Sequence, residues 1–174
     1  MAPLQVPGPI LDVGGGGEGV IGLLREDVLA IDLHKEELEE APFGPVKMVM
    51  DGRDLGFVDG AFQAATAFFT LMYMADRVDC RRVFGEIFRV LGPGGRLLVW
   101  DAAIPPQQAT DKEIVALGLE IALRDVKIST GYGVLWPDEK RGRDYYMSLA
   151  REAGFTVREH WEREHLFFME LCRS

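Results

Sequence analysis

The stretch Ile10-Leu-Asp-Val-Gly-Gly-Gly-Gly-Glu-Gly19 decides the fold of this chain. Its first four residues are mostly apolar, which predicts a buried strand, and the glycines allow a sharp turn close to a ligand because they lack Cβ atoms. Residues 20–24 then predict the first turns of a helix whose free N–H groups point at that ligand. A strand, a glycine loop and a helix in this order indicate the nucleotide-binding corner of a doubly wound α/β sheet.

Length and composition limit the class of protein. The 174 residues, 48% of them apolar, predict a single globular domain over residues 1–174. The net charge of −9 and the pI near 4.8 disfavour nucleic acid as a partner, because its recognition needs clustered Lys and Arg. No membrane-spanning run or signal peptide is indicated, and the Cys and His residues lack metal-site spacing. We expect a cytoplasmic protein with no metal and no membrane partner.

Apolar runs alternate with helical patterns along the first hundred residues. Strands are predicted at residues 10–13, 28–31, 46–50, 62–69 and 97–100, and helices at residues 20–24, 35–41 and 77–91. Gly92-Pro-Gly-Gly95 is expected to end the third helix, since Gly at C′ followed by Pro is a common stop. This alternation predicts a mostly parallel sheet with helices on both faces.

The last third follows a different pattern. Thr110-x-x-Glu113 is a capping box that opens a helical stripe, which predicts a helix. The stripe consists of Ile114, Leu117, Ile121 and Ala122. Residues 126–136 predict an irregular hairpin, residues 145–153 a helix, and residues 155–161 and 166–171 an antiparallel pair at the sheet edge. Residues 102–154 are interpreted as an insertion after strand five that caps a substrate.

Acids stand at or near the ends of four predicted strands, namely Asp12, Asp32, Asp51 and Asp101. Ligands of such sheets bind at this edge. Taken literally, Gly14-x-Gly16-x-x-Gly19 satisfies the dinucleotide fingerprint, with Asp32 in the place of the ribose-binding acid. Asp12 disfavours this alternative, because a carboxylate there meets a pyrophosphate with like charge. The same carboxylate suits a ligand that carries an ammonium and a sulfonium.

Four stretches follow one another along the chain in a characteristic order and spacing. They are Ile10-Leu-Asp-Val-Gly-Gly-Gly, Ala30-Ile-Asp-Leu33, Met50-Asp-Gly-Arg-Asp-Leu-Gly-Phe57 with Asp59-Gly-Ala-Phe62, and Glu86-Ile-Phe-Arg-Val-Leu-Gly-Pro-Gly-Gly-Arg-Leu-Leu98. Together they resemble the class I S-adenosylmethionine-dependent methyltransferases over residues 9–101 and the final hairpin. The resemblance implies a doubly wound, seven-stranded sheet of order 3-2-1-4-5-7-6 with strand seven antiparallel. The loop departs from the family pattern at Gly17-Glu18-Gly19, which adds a residue and an acid.

The resemblance implies where the methionine and ribose parts of the cofactor lie. Asp12, Gly14, Gly15 and Gly16 would follow the methionine part. Asp32 would accept hydrogen bonds from both ribose hydroxyls, since a carboxylate has two acceptor oxygens.

The resemblance also implies the contacts of the adenine and of the methionine ammonium. Leu33 would pack on the adenine ring, Asp51 would accept from the adenine amine, and Gly52 would supply a backbone N–H. The backbone at Ala67 and Phe68 would hold the ammonium.

Side chains after strand four and in the insertion are candidates for an acceptor pocket. They are Phe69, Met72, Tyr73, Asp101, Tyr132 and Trp136. Tyr73, Asp101 and His34 are also the general-base candidates near the rim, but a structural role is favoured for each. The catalytic residues therefore stay unknown.

The sequence predicts S-adenosylmethionine-dependent methyl transfer to an unidentified small molecule. Two alternatives stay open. A non-enzymatic S-adenosylmethionine-binding or protein-interaction module is motivated by the short segment before strand one and by the lack of a clear base. An NAD(P)-dependent oxidoreductase is motivated by the literal glycine spacing. The acceptor and the oligomeric state are not determined by the sequence.

Overall fold

The computed structural model describes residues 4–42, 44–107, 111–123 and 126–174. The elements of the first half are β1 (Ile10–Val13), α1 (Val20–Leu24), β2 (Val28–Asp32), α2 (Lys35–Glu40), β3 (Val46–Val49), β4 (Phe62–Phe68), a 3₁₀ turn (Leu71–Tyr73) and α3 (Arg77–Val90). Those of the second half are β5 (Leu91–Ala102), β6 (Ile114–Leu123), β7 (Val126–Leu135), α4 (Arg143–Glu152), β8 (Phe155–Arg163) and β9 (Leu166–Arg173). Within these ranges no helix has both the length and the apolar character needed to cross a bilayer.

Seven strands form one sheet in the order β3-β2-β1-β4-β5-β9-β8. The first five are parallel to one another, whereas β9 is antiparallel to both β5 and β8. Since β8 and β9 are the sixth and seventh strands of this sheet, the order predicted from the resemblance is confirmed. Strands β6 and β7 form a separate two-stranded sheet, which we call the hairpin.

Helices cover both faces of the sheet, as expected. Successive strand residues point to opposite faces, so Leu11 and Val13 of β1 pack with α3 and α4, whereas Ile10 packs with Ile21 of α1. The apolar stripe of α3 is centred on Phe84, which is fully buried against the sheet. This double covering leaves the carboxyl ends of the strands as the open edge.

The boundary between α3 and β5 differs from the prediction. Gly92-Pro-Gly-Gly95 does not separate the two elements, since β5 begins directly at Leu91. A residue before Pro favours extended backbone, and it is Gly94, with φ of 74°, rather than Gly92 that takes the left-handed conformation. The pairing of β5 with β4 shifts register between Phe62 and Ala64 to accommodate the turn.

The predicted helix around residues 114–122 is wrong, because this segment is strand β6. Leu117 and Ile121 are four residues apart, a spacing that helical and strand periods both satisfy. Leu119 and Leu123 fit only the strand period, and they complete the face of β6 that packs on the rest of the protein. Thr110 of the capping box lies outside the described residues. The irregular hairpin expected within residues 126–136 is instead a single strand paired with β6.

Candidate functional site

A cleft of about 850 Å³ lies at the carboxyl ends of β1, β2 and β4, where the strand order reverses. Its wall on the sheet side is residues 14–19, which we call the glycine loop, and β7 closes the opposite side through Gly131 and Tyr132. The cleft brings together most of the predicted site residues. They are Asp12, Gly14, Gly15, Gly16, Asp32, Leu33, Asp51, Gly52, Phe68, Phe69, Tyr73 and Tyr132.

The glycine loop is fixed to β2 by its backbone. The N–H groups of Gly14 and Gly15 both donate to the Ile31 carbonyl, at 2.8 and 2.9 Å. At Gly15 an added Cβ would lie 2.6 Å from Asp12 Oδ2 and 2.9 Å from the Ala30 Cβ, so no larger residue fits without a shift. Glycine at this position lets the loop pass this close to Asp12 and β2, and it forms the surface in front of the buried Asp12 carboxyl that we call the glycine cradle.

Asp12 is the buried carboxyl of the cleft, with 2% of the residue exposed. Thr66 Oγ1 donates a hydrogen bond to its Oδ1 at 2.6 Å. Burial raises the pKa of Asp12 to about 7 and the negative charge of Asp32 adds to this, while the Thr66 hydrogen bond lowers it. A ligand cation beside Asp12 would stabilise the ionised form, so this position selects for positive charge.

Asp32 ends β2 at the rim of the cleft. Its Oδ1 accepts from the His34 backbone N–H at 2.9 Å, which fixes the carboxylate. Its Oδ2 faces Gly16, where an added Cβ would lie 2.9 Å away. Leu33 beside it is 52% exposed and presents an apolar side chain at the rim. A fixed carboxylate next to an exposed apolar side chain can bind a pair of hydroxyls and a flat ring.

Asp51 is held by Arg53, a residue that the sequence analysis gave no role. The Arg53 backbone N–H and Nε donate to Asp51 Oδ1 at 2.9 Å, and its Nη2 donates to Oδ2 at 2.7 Å. Arg53 also bonds Asp79 at 2.8 Å. The Arg53 guanidinium lowers the pKa of Asp51, so the carboxylate stays ionised. A ligand amine at Asp51 would share this carboxylate with Arg53.

Three aromatic rings form the wall between β4 and the hairpin. Tyr132 stacks on Phe69 with ring centroids 5.3 Å apart, and Tyr73 meets Tyr132 edge-on at 6.5 Å. Phe69 holds a left-handed φ of 50°, which turns the chain sharply at the end of β4. The Tyr132 hydroxyl donates to Glu18 at 2.9 Å. Burial raises the pKa of Tyr73 to about 12 and, together with Glu18, raises that of Tyr132.

Four predicted site residues do not line the cleft. Ala67 is buried within the sheet, and Met72 packs in an apolar cluster with Ile104. Asp101 accepts from the backbone N–H groups of Leu71 and Ala102, each at 2.8 Å, and burial raises its pKa to about 7. Trp136 donates to the Lys112 carbonyl beyond the end of β7. Asp101 therefore fixes the 3₁₀ turn, as a capping role predicts.

Other residues of the cleft were not identified from the sequence. Thr70 Oγ1 donates to the Val13 carbonyl at 2.9 Å and packs against Gly14. The Glu37 carbonyl accepts from the Gly17 N–H at 2.8 Å, so α2 supports the glycine loop. These contacts join residues far apart in sequence and leave no local pattern. The contact of Arg53 does have a local sequence pattern. An Asp side chain often accepts a hydrogen bond from the backbone N–H two residues later, and an Arg at that position can also pair with it.

Comparison with known proteins gives the family. The methyltransferase domain family matches residues 11–99, just over half of the chain. A 27-O-demethylrifamycin SV methyltransferase of Amycolatopsis mediterranei is 30% identical over 167 residues, covering 88% of this chain and 56% of the relative. A demethylmenaquinone methyltransferase of Thermus thermophilus is 44% identical over 59 residues, covering 34% of this chain and 26% of the relative. The matches thus span from about a quarter to just over half of these relatives' lengths.

A solved structure shows the same fold. An S-adenosylmethionine-dependent methyltransferase from Methanosarcina mazei superposes with a TM-score of 0.67 at 19% identity, covering 98% of this chain and 94% of that chain. The family match favours a methyltransferase over the NAD(P)-dependent oxidoreductase. The carboxyl of Asp12, directly before the glycine loop, favours the same choice. The chain belongs to the class I S-adenosylmethionine-dependent methyltransferases.

Proposed function

We propose that this chain binds S-adenosylmethionine in the cleft and transfers its methyl group to a small-molecule acceptor held against the hairpin. The observation that carries the proposal is the buried Asp12 carboxyl directly behind the glycine cradle. In its ionised form this carboxyl attracts a cation and repels a diphosphate, and the ammonium and sulfonium of the cofactor supply positive charge. The volume of about 850 Å³ leaves room for cofactor and acceptor together.

The residues of the cleft suit the parts of this cofactor. Asp12 and the glycine loop would hold the methionine part, and Asp32 would accept from the ribose hydroxyls. Leu33 would cover one face of the adenine, and Asp51 would accept from its amine beside Arg53. The supporting observation is that added Cβ atoms at Gly15 and Gly16 would overlap Asp12 and Glu37, so only glycine lets the loop pack beside these acids.

The charge of the cleft limits the acceptor. Five carboxylates besides Asp12 and Asp32 line it, namely Glu18, Glu37, Glu40, Asp51 and Asp79. The Arg53 guanidinium beside them is already paired with two of these acids. We therefore expect an acceptor without phosphate or carboxylate groups, because like charge would oppose its entry. The stacked pair of Phe69 and Tyr132 favours an acceptor with a flat apolar part.

The names of the two relatives support a small acceptor. They describe proteins that methylate demethylmenaquinone and 27-O-demethylrifamycin SV. The acidity of the chain also disfavours nucleic acid in this role.

Alignment and exclusion of water are the main contributions of this chain to the reaction. When bound, S-adenosylmethionine supplies a methyl group on a positively charged sulfur. Tyr73, with its pKa raised to about 12, and Tyr132, whose pKa is also raised, keep their protons at neutral pH. The Tyr73 hydroxyl can donate a hydrogen bond to an acceptor, whereas the Tyr132 hydroxyl already donates to Glu18, and neither group takes up the acceptor's proton. Asp101 is enclosed by backbone N–H groups outside the cleft. His34, the third candidate, lies at the rim beside Asp32, where we place the ribose. We therefore assign no general base and expect the acceptor's proton to be released to the solvent.

A labelled-methyl screen tests the proposal. Purified protein is incubated with methyl-labelled S-adenosylmethionine and a fractionated small-metabolite extract, and labelled products are identified by mass spectrometry. We expect one labelled product class from the wild type and none from Asp32→Asn, which keeps the side-chain size. Binding of the cofactor without any labelled product would favour the non-enzymatic module, and no binding at millimolar cofactor would overturn the proposal.

A further inference from the structure

One acid of the glycine loop reaches across the cleft to the hairpin. Glu18 Oε2 accepts from the Tyr132 hydroxyl at 2.9 Å, and its Oε1 accepts from the Thr130 hydroxyl. These partners lie 114 and 112 positions later in the chain. The loop that we propose for the cofactor is therefore joined to the strand that lines the acceptor side.

The contact fixes a ring of the aromatic wall. Tyr132 stacks on Phe69 with an angle of 21° between the ring planes, and Glu18 holds the hydroxyl end of the same ring. Directly after the loop, Val20 packs against Ile121 and Leu123 of β6. The hairpin thus contacts the loop region through one polar and one apolar patch, and only the polar patch sets the position of Tyr132.

The backbone on both sides of Glu18 makes its position sensitive to the loop. Gly17 and Gly19 have φ of 57° and 54°, a left-handed conformation that glycine reaches at little cost. A ligand lying on the loop would restrict these two residues further and with them the Glu18 side chain.

We propose that Glu18 is a positioning residue through which an occupied cofactor loop holds the acceptor wall in place. The inference rests on the proposed function, because it needs the cofactor to bind along residues 14–19. Occupancy of the loop then favours the closed hairpin, and by thermodynamic linkage a closed hairpin favours occupancy. Bound cofactor then stabilises the acceptor wall in the arrangement that the structure shows.

Hydrogen exchange of the full chain, measured by mass spectrometry with and without saturating S-adenosylhomocysteine, tests this coupling. In the wild type the ligand should slow exchange of the β6 and β7 amides by about fivefold or more. Glu18→Ala should lose the added protection of the hairpin at a ligand concentration that calorimetry shows to be saturating for this variant. Glu18→Gln should keep part of it, since one amide oxygen accepts hydrogen bonds. Glu120→Ala, on the exposed face of β6, is the matched control and should behave as wild type.

A second set of variants separates the contact from a general loss of structure. Thr130→Val with Tyr132→Phe removes both hydroxyls and keeps the side-chain volumes, so the ligand-induced protection should again be lost. Adding Glu18→Ala should cause no further change, because the three groups act as one unit. Full protection of the hairpin in Glu18→Ala at full occupancy would overturn the inference. So would a wild type that binds the ligand without protecting the hairpin, whereas a wild type that binds no ligand would overturn the proposed function as well.

Discussion

The two walls of the cleft are held by different kinds of contact. The glycine loop is tied to the parallel sheet through backbone groups, with the Gly14 and Gly15 N–H groups on the Ile31 carbonyl. The hairpin pairs with itself as a separate two-stranded sheet and meets the loop through side chains, chiefly those of Glu18, Thr130 and Tyr132. Backbone contacts survive most substitutions, whereas side-chain contacts do not. The cofactor wall should therefore be constant and the hairpin wall variable, as a site with one cofactor and a separate acceptor requires.

The largest expected effect comes from disturbing the packing of the glycine loop on the cofactor wall. Gly15→Ala places a Cβ 2.6 Å from Asp12 Oδ2 and 2.9 Å from the Ala30 Cβ. The forced shift should weaken S-adenosylhomocysteine binding by about 10- to 100-fold in calorimetry. Gly118→Ala on the hairpin is the control, since its Cβ would meet no atom within 4 Å. Equal loss of affinity in the two variants would contradict the assignment of the walls.

The pH dependence of cofactor binding is the next largest effect. The pKa of Asp12 is raised to about 7, so the carboxyl is mostly protonated at pH 6 and mostly ionised at pH 8. Because a cationic ligand binds the ionised form, affinity for S-adenosylmethionine should rise by roughly tenfold between these values. Asp12→Asn should bind weakly with no such rise. A wild-type affinity independent of pH would rule out a titrating Asp12 at the methionine end.

The Thr66 hydroxyl should set the pH at which the affinity for the cofactor rises. The 2.6 Å hydrogen bond from Thr66 to Asp12 Oδ1 favours the ionised form of Asp12. Thr66→Val keeps the side-chain shape and removes this bond. The midpoint of the pH profile should move up by about one unit, and affinity at pH 7 should fall about fivefold. Calorimetry at several pH values measures both quantities. An unchanged midpoint would show that Thr66 does not control the Asp12 charge.

The smallest effect on the cofactor should come from the hairpin wall. Tyr132→Ala removes the stacking on Phe69 and the hydrogen bond to Glu18, which should lower the free energy of unfolding by about 2 kcal/mol. The affinity for S-adenosylhomocysteine should fall by only about threefold, since the contact with Glu18 is lost but backbone bonds to β2 still hold the glycine loop. Urea unfolding and calorimetry measure the two quantities. A tenfold loss of affinity would mean that the walls are not separable.

The same contrast explains how far the sequence could predict the molecule. Around β1 and β2 the local signals agree, because an apolar run, an acid and a glycine turn each favour the same structure, and the boundaries of β1 and α1 are confirmed. In β6 the signals conflict, since Leu117 and Ile121 fit a helix and a strand equally well. Partners of long sequence separation, such as Glu18 with Tyr132, leave no local pattern at all.

Three of the expectations from the sequence stay predictions. They are the single domain over residues 1–174, the cytoplasmic location and the identity of the pocket residues. Of the proposed pocket, the structure places Phe69, Tyr73 and Tyr132 in the cleft, and it places Met72, Asp101 and Trp136 outside it. Met72 lies outside because its side chain packs in an apolar cluster. Asp101 lies outside because its carboxylate accepts backbone hydrogen bonds from the 3₁₀ turn.

A crystal structure with S-adenosylhomocysteine bound tests the central claim most directly. We expect the ribose hydroxyls within hydrogen-bonding distance of Asp32, the methionine part along residues 14–16 in front of Asp12, and the adenine beside Leu33. Density for the ligand elsewhere, or a ligand in the cleft that leaves both Asp12 and Asp32 without a contact, would contradict the account.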